Sequence, residues 1–308
     1  MNSLVTGGAG FIGSHLADAL VARGDRVRVL DNLATGRREN LNADVEFVEG
    51  SVADADAVAR AVEDVEVVFH LGALGAVARS VADPRASNDA NVNGTLNVLT
   101  LARDAGVRRV VFASSSSVYG GAEIVPTPES APLRPRSPYA VTKLTGDWYT
   151  RVFSDLYDLE TVVLRYFNVF GPRQRPDSAY AAVIPLFAAA MLAGESPIVH
   201  GDGTQSRDFT YVTDVVAANL AAASAPADQA SGLAFNIAPG EGTSLLELLD
   251  GLGARIGVTP DPVFVESRPG DVHRSCADAT AARTILGWAP TVSVADGLAH
   301  YVDWIRSS

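Results

Sequence analysis

A tyrosine and a lysine four residues apart form the pattern with the clearest chemical meaning in this sequence. Tyr139 and Lys143 follow Ser137-Pro138, where serine suits a helix N-cap and proline the first helical position. Residues four apart lie on one helix face, so the ammonium can stabilise a phenolate and lower the pKa of the tyrosine. Lys143 is the only lysine among 24 basic residues, and arginine does not replace a compact ammonium. The pattern predicts a tyrosine acid–base catalyst; a surface tyrosine beside a solvated lysine is the alternative.

A glycine-rich segment near the N-terminus indicates a phosphate-binding turn. The segment Gly7–Gly13 has glycine at its first, fourth and seventh positions, after a predicted strand and at the start of a predicted helix. Glycine permits a tight turn and the close approach of a pyrophosphate to backbone N–H groups. Asp31 ends the second predicted strand, where a carboxylate accepts hydrogen bonds from an adenosine ribose. These features predict dinucleotide binding. Because Asp31 repels a 2′-phosphate, they favour NAD over NADP. Arg37 and Arg38 lie nearby in the sequence and could bind such a phosphate, so NADP is the alternative cofactor.

Serine residues cluster at the end of the fifth predicted strand. Ser114–Ser117 follow the strand predicted over Val107–Ala113. The carboxyl ends of parallel strands border the crevice in which such sheets bind ligands, so these hydroxyl groups are candidates to hold a substrate. A serine-rich turn without function is the alternative.

Short β-branched runs alternate with amphipathic helices through the first half of the chain. Nearly continuous apolar strands separated by helices are typical of a parallel sheet covered on both faces. We therefore predict an α/β fold, a doubly wound parallel Rossmann sheet with a smaller C-terminal α/β substrate lobe. The domain bounds are expected at 1–171 and 172–308, with segments such as 207–223 returning to the first domain. The predicted strands are Ser3–Thr6, Val27–Leu30, Val45–Val48, Val65–His70, Val107–Ala113 and Thr161–Tyr166; the predicted helices are Phe11–Arg23, Asp54–Val62, Asn91–Ala105, Pro138–Tyr157, Pro185–Ala193, Asp214–Ala223, Leu245–Ile256 and Thr280–Gly287.

Composition disfavours several classes of partner. The 308 residues are 47% hydrophobic and 19% charged, which suits a globular chain with a sizeable core. A formal net charge of −12 makes nucleic acid and anionic membrane surfaces unfavourable partners. The longest apolar stretch, Ala181–Ala193, is too short to span a bilayer, and the single cysteine, Cys276, suits a reducing compartment. The five histidines lack ligand spacing, so no metal site is expected. We expect a cytoplasmic protein without membrane or nucleic-acid partners.

The order of the motifs resembles the extended short-chain dehydrogenase/reductase family of NAD-dependent epimerases and dehydratases, and within it the UDP-glucose 4-epimerases. Besides the motifs above, the resemblance rests on Phe69–Ala73, Asn91–Thr95, Arg165–Asn168, Gly201–Gly203, Arg207–Phe209 and Arg268–Asp271. It implies an NAD-dependent 4-epimerisation of a UDP-hexose through a 4-keto intermediate. It also implies a homodimer formed through the helices predicted over 91–105 and 138–157.

The resemblance further implies roles for individual residues. Ser115 would bind the reacting hydroxyl group, Tyr139 would act as acid and base, and Lys143 would hold the nicotinamide ribose. The implied NAD contacts are Gly7, Gly10, Phe11, Ile12, Gly13, Asp31, Asn32, Thr35, Gly36, Ser51, Val52, Leu71, Gly72, Ala73, Asn91, Tyr139, Lys143 and Tyr166. The implied UDP-sugar contacts are Ser115, Asn168, Val183, His200, Arg207, Arg268, Asp271 and Ser275. Ser275 matches a position that faces the C2 substituent of the sugar, and a small residue there leaves room for an acetamido group.

Three positions depart from the family pattern, and other reactions stay open. Ser51 stands where an aspartate often lies near the adenine, Gly75 replaces a polar residue near the cofactor, and His200 stands where an aromatic ring often packs on the uracil. Nucleotide-sugar 4,6-dehydratases and glucuronate decarboxylases share the fold, cofactor and base, but carry carboxylates within the positions matching Ser115–Ser117. Hydroxyl groups cannot supply that chemistry, which disfavours both reactions. A non-catalytic NAD-binding regulator is a further alternative, disfavoured because the Tyr-x-x-x-Lys pair is intact.

Overall fold

The computed structural model describes residues 1–177, 180–267 and 272–307. Its strands are β1 (Asn2–Thr6), β2 (Arg26–Asp31), β3 (Glu46–Glu49), β4 (Val67–His70), β5 (Arg109–Ser115), β6 (Glu160–Tyr166), β7 (Val169–Phe170), β8 (Ile198–His200), β9 (Ser206–Asp208), β10 (Thr210–Tyr211), β11 (Leu233–Ile237), β12 (Gly242–Ser244) and β13 (Val263–Val265). Its helices are α1 (Phe11–Ala22), α2 (Ala55–Ala61), α3 (Val77–Ala82), α4 (Pro84–Asn88), α5 (Gly94–Asp104), α6 (Pro138–Leu156), α7 (Val183–Leu192), α8 (Val212–Ser224), α9 (Ala227–Ala230), α10 (Leu245–Ile256), α11 (Thr280–Ile285) and α12 (Val294–Ser307). Two 3₁₀ turns, at Arg38–Asn40 and Ser116–Tyr119, and a π-helical turn at Asp89–Asn93 complete the described elements.

Seven parallel strands form the central sheet in the order β3-β2-β1-β4-β5-β6-β11. The order of strands along the chain reverses between β1 and β4. Sheets of this kind bind ligands beyond the carboxyl ends of the strands at such a reversal. The predicted doubly wound Rossmann sheet is therefore confirmed, and the reversal marks where its site should lie.

Separate apolar clusters cover the two faces of the sheet and fill the smaller lobe. On one face, Leu16 of α1 and Val215 of α8 are fully buried. On the other face, Val58 of α2 and Val98 of α5 are fully buried. A third cluster joins α7, α10 and α12 and includes Leu248. Burial of these apolar side chains supplies most of the favourable free energy that holds the helices against the sheet.

The predicted elements agree with the structure within two residues at nearly every end. The exception is the helix predicted over Asn91–Ala105, which begins as the π-helical turn at Asp89. The sequence pattern does not predict β11, a five-residue strand that includes the polar Asn236. It also does not predict α3, α4 or α12. In α12 the apolar spacing is interrupted by Gly297, where a Cβ would lie 2.6 Å from the Phe170 ring.

The chain after residue 171 contributes to both parts of the fold. Helix α8 packs against α1, and β11 pairs with β6 in the central sheet. Helices α9 and α11 also pack on the central sheet, whereas α7, α10 and α12 surround the third apolar cluster. The domain boundary at residue 171 stays a prediction. None of the described helices is both long and apolar enough to cross a membrane.

Candidate active site

The segment Gly7–Gly13 has no room for a side chain at Gly7 or at Gly13. Gly7 has φ 70°, in the left-handed region that favours glycine, and a Cβ there would lie 2.8 Å from the Cα of Gly72. A Cβ at Gly13 would lie 2.2 Å from the carbonyl oxygen of Gly7. No side chain caps the first turn of α1, so its N–H groups are available to a phosphate. The turn therefore has the shape and polarity that a pyrophosphate requires.

A cavity of about 500 Å³ lies at the carboxyl ends of the strands around the sheet reversal. The lining contains sixteen of the predicted NAD contacts: Gly7, Gly10, Phe11, Ile12, Gly13, Asp31, Asn32, Thr35, Ser51, Val52, Leu71, Gly72, Ala73, Tyr139, Lys143 and Tyr166. A dinucleotide needs an acidic group for its adenosine ribose, free amides for its pyrophosphate and a polar end for its nicotinamide. The lining has all three, so these residues fit NAD.

Two predicted NAD contacts, Gly36 and Asn91, lie behind this lining. A Cβ at Gly36 would lie 2.9 Å from Ala9, so this glycine permits close packing against the phosphate-binding turn. The Asn91 side chain is buried; its Oδ1 accepts from the Leu74 N–H at 2.7 Å, and its Nδ2 donates to the Thr142 hydroxyl at 2.9 Å. Asn91 thereby ties the cavity-lining segment at Leu74 to α6. Direct contact of either residue with NAD stays a prediction.

Asp31 lies at the end of β2 with both carboxylate oxygens engaged by backbone amides. Oδ2 accepts from the Ala9 N–H at 3.0 Å, and Oδ1 accepts from the Leu33 N–H at 2.8 Å. Burial raises the pKa of Asp31, and these two hydrogen bonds oppose the rise. The carboxylate is therefore held against the phosphate-binding turn, where it disfavours a 2′-phosphate.

The two arginines that kept NADP open have other partners in this structure. Arg37 forms an ion pair with Asp177 at 2.6 Å. The Arg38 guanidinium lies over the Phe47 ring, 4.3 Å from its centre. Both guanidinium groups thus already have partners, which is consistent with the preference for NAD.

The predicted capping of helix α6 is confirmed. The Ser137 hydroxyl accepts from the Ala140 N–H at 3.1 Å, and Pro138 occupies the first turn of α6. The N–H of Tyr139 donates to the buried hydroxyl of Ser80 on α3 at 2.9 Å. These contacts fix the start of α6, and with it the position of the Tyr139 side chain.

Ser115, Tyr139 and Lys143 meet where β5 ends against α6. Ser115 and Tyr139 are joined by a side-chain hydrogen bond. Lys143 is 5% exposed, and its Nζ donates to the carbonyl oxygen of Ala113 at 2.8 Å. Burial lowers the pKa of Lys143 to about 8. The three predicted catalytic residues are therefore brought together.

The expected lowering of the Tyr139 pKa by Lys143 is not seen. Burial raises the pKa of Tyr139, and the hydrogen bond with Ser115 is the influence that opposes the rise. The reason is geometric, because the Lys143 ammonium is directed to the Ala113 carbonyl. Spacing on a helix predicted a shared face but not the direction of the ammonium group.

A buried histidine that the sequence analysis missed connects the cofactor cavity to the helices behind it. His70 ends β4; its Nδ1 lies 2.7 Å from the Thr6 hydroxyl, and its Nε2 lies 3.0 Å from the Thr95 hydroxyl. The Thr95 hydroxyl donates to the carbonyl oxygen of Asn91 at 2.6 Å, so the Nε2–H must donate to Thr95. Nδ1 then accepts from Thr6, which itself accepts from the Gly72 N–H at 3.0 Å. This network needs a neutral imidazole and fixes the backbone at Gly72.

A second cavity, of about 450 Å³, lies beside the first one. Tyr166, at the end of β6, lines the first cavity, and Asn168 lines the second. Four predicted substrate contacts line the second cavity: Asn168, Val183, His200 and Arg207. Ser115 and Ser275 do not line it, and Arg268 and Asp271 lie outside the described residues.

The sequence analysis missed several lining residues of the first cavity. They include Leu74, Ala86, Asp89 and Ala90, which belong to the stretch before α5. One signal could have found them, because Asp83-Pro84 is a typical helix start and Asp83 does cap α4. Gly75, noted above as a departure from the family pattern, also lines this cavity. Among the described residues, no group of three or more metal-binding side chains occurs.

The doubly wound sheet, the bare glycine turn followed by Asp31, and the Tyr139–Lys143 pair beside one cavity define an NAD-dependent enzyme of the short-chain dehydrogenase/reductase type. The family model of the NAD dependent epimerase/dehydratase family matches residues 3–238, and the chain belongs to this family.

Relatives with known names refine this assignment. The chain is 44% identical to the UDP-glucose 4-epimerase of Mycolicibacterium smegmatis, over 100% of this chain and 99% of that protein. A crystal structure of UDP-glucose 4-epimerase from Thermotoga maritima with UDP-glucose is 40% identical, covers 100% of this chain and 99% of its own, and superimposes with a TM-score of 0.95. A UDP-N-acetylglucosamine 4-epimerase from Methanobrevibacter ruminantium is 38% identical, covers 99% and 98%, and has a TM-score of 0.94. The relatives also include a dTDP-glucose 4,6-dehydratase and a decarboxylase.

Proposed function

We propose that the chain is an NAD-dependent 4-epimerase of UDP-hexoses, with UDP-glucose and UDP-galactose as its substrates that carry no N-acetyl group. The observation that carries the proposal is the side-chain hydrogen bond between Ser115 and Tyr139, of which Tyr139 lines the first cavity, together with the presence of only hydroxyl side chains at positions 115–117. A 4-epimerase needs one group that removes and returns a proton at the 4-hydroxyl group. It needs no additional acid.

The residues divide the chemistry between them. Bound NAD supplies the acceptor and donor of a hydride at C4 of the sugar. Tyr139 takes the proton from the 4-hydroxyl group and returns it to the oxygen of the 4-keto sugar after the sugar has turned, so that the hydride would return to the opposite face of C4; Ser115 holds that oxygen through its hydroxyl group. Lys143, buried beside Tyr139, would hold the nicotinamide ribose of the bound cofactor, and its positive charge would favour the phenolate.

The second cavity supports a nucleotide-sugar as the substrate. Its lining combines the Arg207 guanidinium with the Asn168 amide and the His200 imidazole. A guanidinium forms charge-assisted hydrogen bonds with phosphate oxygens, and an imidazole ring can stack on a pyrimidine. The position of this cavity beside the end of β6 allows a sugar attached to the pyrophosphate to reach Tyr139.

The other reactions of the family need acids that this site lacks at the same positions. In this chain Ser116 and Ser117 occupy the places where dehydratases carry Asp and Glu, and Ser117 the place where decarboxylases often carry Glu. The Asp147 carboxylate approaches Ser114 at 3.5 Å but is paired with the buried Arg165 at 2.8 Å. Because its charge is neutralised and its side chain is fully buried, Asp147 does not replace the missing acid.

We further propose that N-acetylated UDP-hexoses are substrates. Ser275 is half-buried, and its N–H donates to the carbonyl oxygen of Ser206, so it lies beside the strand that carries Arg207. A serine leaves room that a large aromatic side chain would fill, and its hydroxyl can bind an acetamido group. The relative from Methanobrevibacter ruminantium, which is named for the acetylated sugar, supports this part of the proposal.

A homodimer through α6 is proposed as well. Several large side chains on this helix are exposed: Val141 at 50%, Trp148 at 54%, Val152 at 43% and Leu156 at 67%. The spacing of seven, four and four residues places them along one face of the helix. A face of this kind is unusual for a monomer and suits a partner copy of the same helix. Sedimentation of the wild type at twice the mass of Trp148→Glu would support it, and a wild-type monomer would contradict it.

The cytoplasm remains the proposed location. Cys276, the only cysteine of the chain, is buried and free in this structure.

Product analysis tests the proposed reaction. The purified protein is incubated separately with UDP-glucose, UDP-N-acetylglucosamine and UDP-glucuronate, and the sugars are identified by NMR. The proposal requires conversion to the 4-epimer without loss of water or carbon dioxide. A 4-keto-6-deoxy sugar would indicate a dehydratase, and a pentose with released carbon dioxide would indicate a decarboxylase. The absence of any product, with NAD still bound, would favour a regulator.

A further inference from the structure

We propose that Asp208 is a positioning residue for substrate binding, whose buried carboxylate holds together the segments that carry Arg207, Asn168 and Ser275. This inference rests on the proposed function and names the group that assembles its UDP-sugar site. Asp208 lies at the end of β9, next to Arg207, and is fully buried. It does not line the second cavity, so its effect on a ligand must pass through its neighbours.

The carboxylate of Asp208 accepts hydrogen bonds from two separate segments of the chain. Oδ2 accepts from the Ala277 N–H at 2.9 Å and from the Gly240 N–H at 3.2 Å. Oδ1 accepts from the N–H groups of Gly240 and Glu241, each at 3.3 Å. Ala277 lies two residues after Ser275, so the carboxylate fixes that part of the predicted substrate site directly.

The backbone around Asp208 continues the same assembly. Its carbonyl oxygen accepts from the Asn168 side-chain amide at 3.3 Å. On one edge of β9, the N–H of Ser275 donates to the carbonyl oxygen of Ser206 at 3.1 Å. On the other edge, β12 pairs antiparallel with β9 and places Thr243 opposite Arg207. Strand β9 therefore lies between β12 and the segment that contains Ser275. The Asp208 carboxylate accepts hydrogen bonds from the chain just before β12 and from the chain just after Ser275.

The surroundings of Asp208 contain amides and no ion-pair partner among the described residues. The Cys276 thiol also donates to the carboxylate of Asp208. Glu241 is the one charged residue among the described donors, and it contacts the carboxylate through its backbone N–H. A buried carboxylate that has no ion-pair partner and depends on backbone N–H groups and one thiol is costly to keep unless the geometry of these donors is maintained. We therefore expect the strand that carries Arg207, the segment Gly240–Glu241 and the segment at Ala277 to keep their relative positions only while the carboxylate is present.

An amide at this position cannot replace the carboxylate. Each oxygen of Asp208 faces two N–H contacts, with Gly240 shared between them. An asparagine side chain would turn an NH₂ group toward at least one donor in either orientation. Asp208→Asn therefore loosens either the Gly240–Glu241 segment or the segment leading back to Ser275.

The chain offers a matched control in Asp214. This second buried aspartate, on α8, accepts from the Thr291 N–H at 2.9 Å and from the Val292 N–H at 3.2 Å. Like Asp208 it holds a loop through backbone amides, but neither Thr291 nor Val292 lines the second cavity. Asp214→Asn thus reports the general cost of losing such a carboxylate in this half of the chain.

The experiment compares the wild type with Asp208→Asn and Asp214→Asn as full-length chains. It measures the Kd of UDP by calorimetry, the content of bound NAD, and kcat and KM for UDP-glucose. For Asp208→Asn we expect the Kd of UDP and the KM to rise about tenfold or more, with kcat and NAD content within about twofold of wild type. For Asp214→Asn we expect all four quantities within about twofold. An unchanged Kd in Asp208→Asn, or an equal rise in both variants, would overturn the inference.

A measurement on the wild type covers the case in which Asp208→Asn does not fold. UDP binding should slow hydrogen exchange at the amides of Gly240, Glu241 and Ala277, because a bound ligand stabilises the segments that Asp208 joins. Exchange at these amides that is unaffected by saturating UDP would reject the positioning role. Failure of the proposed function is separate: a wild type that binds UDP but forms no 4-epimer would refute the reaction while leaving the Kd and exchange measurements valid for the positioning role, and a wild type that binds no UDP would refute the UDP-sugar site itself.

Discussion

The buried, neutral His70 should contribute to a loss of stability of this protein in mild acid. The imidazole is 1% exposed, and its two nitrogens are committed to Thr6 and Thr95 in a network that requires the neutral form. Burial, and secondly the positive charge of Lys143, lower the pKa of His70 to about 3. An unfolded histidine has a pKa of about 6.5. The folded state therefore binds this proton more weakly than the unfolded state does.

The sign and size of the effect follow from that difference. A lowered folded pKa gives stability that is fully present above pH 6.5 and is lost as the pH falls toward 3. A pH of 5 lies about 1.5 units below the pKa of the unfolded histidine, which is therefore mostly protonated, while His70 in the fold stays neutral. At about 1.36 kcal/mol per unit, the cost is about 2 kcal/mol. A loss of that size is a substantial part of the stability of an ordinary domain.

Urea unfolding of the wild type and His70→Gln at pH 7.5 and pH 5 measures this term. Glutamine keeps a donor and an acceptor but does not titrate, and contributions from all other groups cancel when the two pH differences are compared. We expect the wild type to lose about 2 kcal/mol more than His70→Gln over this interval, and equal changes between pH 7.5 and 8.5. Equal losses between pH 7.5 and pH 5 would refute the assignment of a neutral, buried His70.

Other substitutions test the catalytic residues and the sugar pocket. Tyr139→Phe should lower kcat by roughly 100- to 10,000-fold in a coupled epimerase assay while leaving bound NAD and the melting temperature nearly unchanged, since only the oxygen that moves the proton is lost; near wild-type turnover would remove Tyr139 from the mechanism. Lys143→Arg should be severely impaired, because a larger, permanent cation does not fit a site where the lysine is 5% exposed; an active variant would contradict the argument from the unique lysine. Ser275→Tyr should lower kcat/KM for UDP-N-acetylglucosamine far more than for UDP-glucose, and Ser275→Ala should spare both; equal use of the two sugars by the tyrosine variant would reject the pocket assignment. During turnover NAD should stay bound, with no build-up of free NADH in the absorbance at 340 nm.

Local patterns were enough to predict the parts of the site that depend on neighbouring residues. The glycine turn, Asp31 and the Tyr139–Lys143 pair each combine a secondary-structure element with a short spacing, and the structure brings all of them to one cavity. Caps were predictable for the same reason, because Ser137 bonds an amide three residues away. Periodicity likewise predicted the six strands from β1 to β6.

Contacts between distant parts of the chain could not be predicted from spacing. His70 and Thr6 are 64 residues apart, and Asp208 and Ala277 are 69 apart, so neither network leaves a local pattern. The direction of the Lys143 ammonium depends on the Ala113 carbonyl, which lies on another element. Strand β11 is defined by its pairing with β6 rather than by its own five residues. Tertiary contacts thus decided these four points, whereas the start of α4 at Asp83-Pro84 was a local signal that the sequence analysis did not use.

The most direct test of the central claim follows the hydrogen at C4 of UDP-glucose during turnover in deuterated water. The wild type should form UDP-galactose until the two sugars reach equilibrium, with no deuterium at C4, because the hydride that leaves C4 returns to it and Tyr139 exchanges only the hydroxyl proton. Tyr139→Phe, at the same protein concentration, should form no detectable galactose in that time. Deuterium at C4 or C5, or a product other than the 4-epimer, would contradict the proposed 4-epimerisation.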